Sequence, residues 1–155
     1  MKAVAVFLLA LISLSAQAQW TYRTTEDKMR QTNTKYAELR STNRAQLDFP
    51  YRGGSTLQLI LRKKSDDDLD VILWLNKGQV PCHDRCVVTA KFDDDDPREF
   101  FAVGPESASS DSLFLYEEQA IVDRLKTAKK LIVEVLIYDH GKFQFTFSPR
   151  GLKWQ

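Results

Sequence analysis

The stretch KKLIVEVLIYDHGKFQFTF (129–147) has the two-residue period that is typical of β-strands. Every second side chain is apolar, first from Leu131 to Ile137 and then from Phe143 to Phe147. Between the two runs, DHG (139–141) supplies a glycine, which readily adopts the positive φ of a tight hairpin turn. The stretch therefore predicts a β-hairpin with one apolar face, and an antiparallel fold around it.

The same period recurs outward along the chain, in STLQLILRKK (55–64), LDVILWLN (69–76) and CVVTAKFD (86–93). EEQAIVDRLKTAKK (117–130) instead has apolar residues at helical spacing, with glutamates at its start and lysines at its end. TEDKMRQTN (25–33) suits either a loop or one or two helical turns. We predict an antiparallel β-sandwich or distorted barrel of about eight or nine strands with one packed α-helix.

The first residues indicate export from the cytoplasm. Lys2 is followed by the apolar run AVAVFLLALISL (3–14), and AQA (16–18) places small residues where a signal peptidase cleaves. The run is shorter than the ~20 residues that a membrane-spanning helix needs. We expect a signal peptide over residues 1–18 and a single secreted β-rich domain over 19–155, located in the periplasm or outside the cell, with no stable membrane insertion after cleavage.

The charge of the chain is balanced, with 22 Lys and Arg against 21 Asp and Glu. Removal of Lys2 with the leader brings the net charge close to zero. Basic residues are scattered among acidic ones, whereas a nucleic-acid binder usually has a basic excess or stripe. We therefore expect no nucleic-acid partner.

Both cysteines lie in QVPCHDRC (79–86). GQVPC (78–82) and CVVTAKFD (86–93) suggest two strands joined by HDR, and a short hairpin brings its strands to disulfide distance. An oxidising compartment also favours a disulfide between Cys82 and Cys86. A metal site, a redox-active pair and free thiols are the alternatives, but a redox motif usually has two intervening residues and zinc needs four ligands.

Polar loops between the predicted strands are the candidate partner contacts. SDDDLD (65–70) and DDDDP (93–97) are acidic runs suited to solvated turns, with calcium binding as the alternative. ESASSDS (106–112) is a serine-rich loop, and loops on a rigid β scaffold often carry recognition. The residues that we expect at the contact are Asp66, Asp67, Asp68, Asp93, Asp94, Asp95, Asp96, Ser109, Ser110, Asp111 and Ser112.

A catalytic site is not apparent in the sequence. The two histidines, His83 and His140, fall in predicted turns, and no nucleophile elbow, metalloprotease motif or phosphate-binding loop is present. We expect no cofactor, no metal and no enzymatic activity. A hydrolase that uses two carboxylates leaves no local signature and stays open.

The three tryptophans have two interpretations. Trp20 and Trp154 lie near the ends of the expected mature chain, where aromatic residues usually pin a terminus onto the domain. Trp74 alternates with Leu73 and Leu75, which places it on the opposite face of its strand. An exposed aromatic platform is the alternative to core packing.

Several segments together resemble a known family. They are GGSTLQLILR (53–62), LNKGQVPCHDRCVVTAKFDDD (75–95), SSDSLFL (109–115), the hairpin over 129–147 and GLKW (151–154). With these segments the chain resembles secreted domains of bacteria and their prophages and is more distantly similar to the VasI/TagO family of type VI secretion accessory proteins. The resemblance covers residues 53–154 and rests on strand order, on the KFD and SDS positions, and on the phenylalanine-rich strand before Gly151 and Leu152. It implies a β-rich domain that binds a partner, and it supplies no catalytic residues.

The leading functional hypothesis is a periplasmic, non-catalytic partner-binding or accessory domain of the cell envelope, linked to a secretion system or prophage. Its partner would be an envelope or extracellular protein, or peptidoglycan. The alternatives are an inhibitor or immunity-type protein that blocks a periplasmic enzyme such as a lysozyme, and a cell-wall glycan hydrolase that uses carboxylates.

Overall fold

The computed structural model describes residues 19–64, 68–107 and 109–155. Within these ranges the chain forms nine strands and one helix. The strands are β1 (Thr21–Asp27), β2 (Thr32–Arg40), β3 (Leu57–Lys64), β4 (Leu69–Leu75), β5 (Cys86–Phe92), β6 (Arg98–Val103), β7 (Ser112–Leu115), β8 (Leu131–Ile137) and β9 (Gly141–Phe147). The helix α1 (Glu118–Thr127) connects β7 to β8. The signal peptide expected over 1–18 lies outside the described residues.

All nine strands belong to one antiparallel sheet with the order β1-β2-β3-β4-β7-β6-β5-β8-β9. Because every pair of neighbours is antiparallel, odd-numbered strands run in one direction and even-numbered strands in the other. Links that follow odd-numbered strands, α1 included, therefore share one end of the sheet, which we call the helix end. Links that follow even-numbered strands share the opposite end, which we call the loop end.

The sheet curls, and segments next to its two edges are hydrogen-bonded to each other. Beyond β2, Thr42 donates its backbone N–H to Thr146 of β9, at 2.7 Å, and the Asn43 side chain accepts from the Thr146 N–H at 2.8 Å. Before β1, the Trp20 indole N–H donates to the Pro149 carbonyl at 2.8 Å. No continuous ladder joins these edges within the described residues. The prediction of a mainly antiparallel β fold with one helix is confirmed, and its form is a distorted, incompletely closed barrel.

The apolar alternation of the sequence marks the inner face of the sheet. Leu57, Leu59 and Leu61 of β3 are buried, and so are Phe145 and Phe147 of β9. These residues belong to one hydrophobic cluster, to which α1 contributes Ile121, Val122 and Leu125. Over the described residues, no helix has the length and apolar character needed to cross a membrane.

The helix is shorter than the segment that predicts it. Glu117 caps it in a left-handed conformation with a φ of 65°, and α1 ends at Thr127. Lys129 and Lys130 therefore follow the helix. Their backbone N–H groups both donate to the Asp93 carboxylate, at 2.8 Å each, which fixes the approach to β8.

Two local expectations were wrong. Residues 25–33 form the end of β1, a turn and the start of β2, because the Asp27 carboxylate accepts from the backbone N–H groups of Met29 and Arg30 and so closes a hairpin turn. Residues 79–82 form no strand. Gln79 accepts from the Tyr138 N–H while Val80 donates to Ser110, so this segment bridges two different neighbours instead of joining one ladder.

Candidate binding surface

The cysteine pair forms the predicted disulfide. Cys82 and Cys86 are bonded with a Cα–Cα distance of 5.4 Å. The bridged loop packs closely on the start of the β6–β7 link, since a Cβ on Gly104 would lie 2.9 Å from the Cys82 carbonyl oxygen. His83 lies in this loop and is exposed. The bond fits an extracellular or other oxidising compartment.

The candidate contact residues do not form one surface. Asp66 and Asp67 lie outside the described residues. Asp68 and the run Asp93–Asp96 lie at the helix end of the sheet. Asp68 belongs to the link that follows β3, and Asp93–Asp96 belong to the link that follows β5. Ser109–Ser112 lies at the loop end. A partner contacting one group would therefore leave the other uncovered unless it spanned the whole barrel.

Two carboxylates of the 93–96 run connect the β5–β6 turn to other elements. Asp93 has a φ of 48° and accepts from the backbone N–H groups of Lys129 and Lys130. These two hydrogen bonds hold the pKa of the Asp93 carboxyl below its usual value. Asp95 pairs with Arg124 of α1. Asp94 and Asp96 are exposed and stay candidates for a contact.

Asp111 joins the serine-rich loop to the sheet. Its carboxylate accepts from the Trp74 indole N–H at 3.0 Å, from the Ser112 hydroxyl at 2.8 Å and from the Ser109 hydroxyl. Burial pushes the pKa of Asp111 upward, but the hydrogen bonds from Ser109, Ser112 and Trp74 together outweigh it, and the pKa is lowered. Asp111 thus has a structural role, whereas Ser110 is exposed.

The terminal tryptophans pack onto the domain. Trp20 is buried and belongs to the hydrophobic cluster, and Trp154 is half-buried against the same cluster. The outward position expected for Trp74 is also found, since Leu73 and Leu75 are buried while Trp74 is half-buried and bonded to Asp111. The tryptophans therefore serve mainly to hold the termini and the β6–β7 link.

The outer face of the sheet carries an apolar row that sequence reasoning missed. Four half-exposed side chains lie on adjacent strands, and we call them the outer row: Leu136 of β8, Val87 of β5, Phe101 of β6 and Tyr116 just after β7. Val87 pairs with Phe101, and the Tyr116 N–H donates to the Phe101 carbonyl at 2.9 Å. Their exposed fractions are 51, 46, 47 and 46%, in the order named.

A small cleft opens beside the row. The β5–β8 ladder covers only Thr89–Phe92 against Leu131–Glu134, so pairing stops before it reaches Val87 and Leu136. Between the two strands lies a cleft of about 250 Å³, which we call the outer cleft. Val87 and Leu136 line it together with Thr89 and two carboxylates, Glu99 and Glu134. It is large enough for part of one partner side chain.

Opposite charges border the two long sides of the outer row. On the loop-end side, the Arg85 guanidinium lies 3.7 Å from the centre of the Phe101 ring. On the helix-end side, Thr89 pairs with both Glu99 and Glu134, so the three residues form one line across β6, β5 and β8. The surface thus has an apolar centre, a cation on one side and carboxylates on the other.

The pKa of the Glu134 carboxyl lies below its usual value. Hydrogen bonds from Gln144 and then Lys142 lower the pKa of its carboxyl, and the Lys142 ammonium lies 3.1 Å away. Because Lys142 pairs with Leu136 across β8 and β9, this ion pair also closes one end of the outer row. Its neighbour Glu99 is exposed.

One sequence signal could have indicated this surface. In CVVTAKFD and REFFAV, two apolar residues stand side by side in an alternating strand, so one of them must face outward. The register that aligns Val87 with Phe101, and the strand order that brings Leu136 and Tyr116 beside them, depend on pairing between distant segments.

Across residues 19–64, 68–107 and 109–155, no group of three or more His, Cys, Asp or Glu side chains is placed to hold a metal ion. The fold and surface define an antiparallel β domain with an apolar row on its outer face. Comparison with protein-family models, curated proteins and solved structures gives no match.

Proposed function

We propose that the protein is a secreted, non-catalytic binding domain of the cell envelope that contacts a protein partner through the outer row. The observation that carries this proposal is the alignment of four half-exposed apolar side chains across adjacent strands. Single exposed apolar residues are normal on a soluble protein, whereas a contiguous patch of about 300 Å² compares with the largest patch of a typical monomer, and such patches are often functional. An aromatic and aliphatic centre with a charged border is also the usual anatomy of a protein interface.

The size of the row sets the strength of the contact. Covering four half-exposed side chains removes roughly 300 Å² of apolar surface from water, or about 7 kcal/mol before costs at 25 cal/mol per Å². Association itself costs about 4–15 kcal/mol in lost freedom. Polar contacts around the row must therefore contribute for the complex to be stable, and we assign this role to Arg85, Glu99 and Glu134.

The envelope location rests on three features. The segment 1–18 has the composition of a signal peptide. The Cys82–Cys86 disulfide suits an oxidising compartment. The resemblance to type VI secretion accessory proteins agrees with an envelope role, and we propose it as the functional context.

Matched charge substitutions at exposed positions of two strands test the proposed contact. Val87→Glu places a carboxylate in the centre of the row, and Thr25→Glu makes the same charge change on β1, outside the row. We expect Val87→Glu to lose capture of a partner from envelope extract and Thr25→Glu to retain it, with melting temperatures close to that of the wild type. Equal capture by both variants would remove the row from the contact.

The non-catalytic part of the proposal needs its own test. The protein is incubated with glycan and peptide substrates of the envelope, and we expect no turnover. Turnover that disappears when a single carboxylate is replaced would contradict the proposal and support the glycan hydrolase.

A second candidate, an inhibitor of an envelope enzyme, is favoured by a projecting aromatic residue. Phe49 is 81% exposed in the link between β2 and β3. Hydrogen bonds anchor the link on both sides of Phe49. The Asp48 backbone N–H donates to His140 Nε2 at 3.0 Å, and the Asp48 carbonyl accepts from the Tyr51 N–H at 2.8 Å. A large apolar side chain presented on an anchored loop is suited to enter the cleft of another protein.

Inhibition assays separate this candidate from the first. If the protein is an inhibitor, stoichiometric amounts should block a lysozyme or another envelope hydrolase, and Phe49→Ala should abolish the inhibition while Val87→Glu leaves it intact. Absence of inhibition across a panel of such enzymes, or inhibition that survives Phe49→Ala, would contradict the role of the loop.

A further inference from the structure

We propose that the protein partner of the outer row is a second copy of this chain, related to the first by a two-fold axis that runs along the row. This inference rests on the proposed function, because it takes the outer row to be a contact surface. It names the occupant of that surface from the arrangement of charges around it.

The charges are arranged on opposite sides of one apolar line. Val87 of β5 lies in the row and Thr89 lies two residues further toward the helix end, whereas Arg85 precedes β5 on the loop-end side and its guanidinium lies over the Phe101 ring. Thr89 is flanked by Glu99 on β6 and Glu134 on β8. A cation thus lies on the loop-end side of the row, and two carboxylates flank Thr89 on the helix-end side.

A two-fold axis along the row exchanges these two sides. Each apolar side chain then faces its own equivalent, Val87 against Val87 and Phe101 against Phe101. Lys142, level with Leu136 at one end of the row, also faces its own equivalent, and its charge is balanced by Glu134 of its own copy. Arg85 of one copy lies over Thr89 of the other, between Glu99 and Glu134. Because the contact is isologous, the same pairing forms twice. The outer cleft, lined by Thr89, both carboxylates and Lys142, opens at the place where the guanidinium of the other copy arrives. Because Glu134 is already paired with Lys142, Glu99 is the main partner of that guanidinium.

The alternative face-to-face axis, running along the strands, gives a less favourable arrangement. It places the line of Glu99, Thr89 and Glu134 of one copy on the same line of the other. When that axis runs between β5 and β6, Glu99 of one copy lies over Thr89 of the other, between its Glu99 and Glu134, and Arg85 lies over Val103 of β6. Like charges brought together in a contact disfavour it. Charge complementarity therefore selects the axis along the row.

The resulting dimer should be weak and sensitive to salt. The outer row is smaller than a standard interface of about 800 Å² per partner. We therefore expect a dissociation constant in the micromolar range or weaker, which rises with ionic strength because the Arg85 contacts are screened. Both ends of each barrel, with the acidic turns and the Phe49 loop, stay outside this contact.

Charge exchange tests the inference. The disulfide-bonded chain from Gln19 to Gln155 is studied by sedimentation velocity at concentrations up to about 1 mM. We expect Arg85→Glu alone and Glu99→Arg alone each to raise the dimer dissociation constant about tenfold or more. In the chain that carries both substitutions the charges are exchanged, and the constant should return to within about threefold of the wild-type value. Thr25→Glu serves as the control for charge and should leave the dimer unchanged.

The outcomes separate this inference from the proposed function. A wild-type chain that stays monomeric at all concentrations overturns the dimer, and the proposed function then stands only if Val87→Glu still abolishes capture of another protein. A dimer that neither single substitution weakens, or that the double substitution fails to restore, places the contact elsewhere and also overturns the inference. A monomer that captures no partner overturns both.

Discussion

Replacement of Asp111 by alanine should destabilise the fold without affecting partner binding. The carboxylate accepts hydrogen bonds from the Trp74 indole and from the hydroxyls of Ser109 and Ser112. The two hydroxyls can turn to water, so their loss costs little. The half-buried indole N–H loses its acceptor, and a hydrogen bond to a charged group contributes about 1.5–3 kcal/mol. We expect a loss of about 2 kcal/mol in the free energy of unfolding, or roughly 6–8 °C in melting temperature for a domain of this size.

The effect of Asp111→Ala should depend on pH in a defined direction. The pKa of Asp111 is lowered in the folded protein. Its contribution to stability is therefore complete above the unfolded pKa, about 3.9, and is lost as the pH falls through the lower folded value. The difference in unfolding free energy between wild type and variant should be constant from about pH 5 to 8 and should shrink below about pH 4.

Denaturant unfolding followed by tryptophan fluorescence measures both effects, with Ser110→Ala as the matched control in the same loop. Ser110 is exposed, and its substitution should change the free energy of unfolding by less than about 0.5 kcal/mol. An Asp111→Ala variant with wild-type stability and no partner capture would refute the structural role. It would return Asp111 to the partner contact.

Three further predictions follow from individual contacts. Replacing Cys82 and Cys86 by alanine should lower stability by about 1–3 kcal/mol without unfolding the protein, because the closed loop is short; circular dichroism during heating measures this, and complete unfolding at room temperature would contradict it. Trp20→Phe should lower the free energy of unfolding by about 2–3 kcal/mol, since the buried ring loses its hydrogen bond to Pro149 and part of its packing; an unchanged denaturation midpoint would show that Trp20 does not help to join the barrel edges. Asp94→Lys and Asp96→Lys should leave the melting temperature within about 2 °C of wild type, and a larger decrease in calorimetry would show that these carboxylates, too, hold the turn.

The inner face of the sheet could be predicted from the sequence because alternation is a local property. Leu57, Leu59 and Leu61 are buried as their spacing indicates, and so are Phe145 and Phe147. A face that packs against the core imposes a period of two residues, and no knowledge of the neighbouring strands is needed to detect it.

The roles of the acidic residues could not be predicted in the same way. Asp93 and Asp94 are adjacent and chemically identical, but only Asp93 accepts from the backbone of Lys129 and Lys130, which are 36 and 37 residues away. The structural role of Asp111 is equally hard to predict from the sequence, because its main partner, Trp74, lies 37 residues earlier. Such contacts depend on how distant segments meet.

The outer row was missed for a related reason. Val87 and Phe101 are ordinary strand residues in the sequence, and they form a surface only because β5 pairs with β6 in one register and with β8 on its other side. The failure of GQVPC to form a strand shows the same limit. Gln79 and Val80 form hydrogen bonds with two different segments, and local strand propensity does not predict which segments these are.

Photo-crosslinking in intact cells tests the central claim, that the outer row is a contact surface, most directly. A photoreactive amino acid is placed at Val87, Thr25, Asp94 or Ser109 in four separate variants, each produced in the native host cell at the natural level. We expect a crosslinked adduct from position 87 and none from position 25, and the proposed dimer would appear as an adduct of two copies of the chain. No adduct from position 87, together with a strong adduct from Asp94 or Ser109, would contradict the claim and place the contact in the loops.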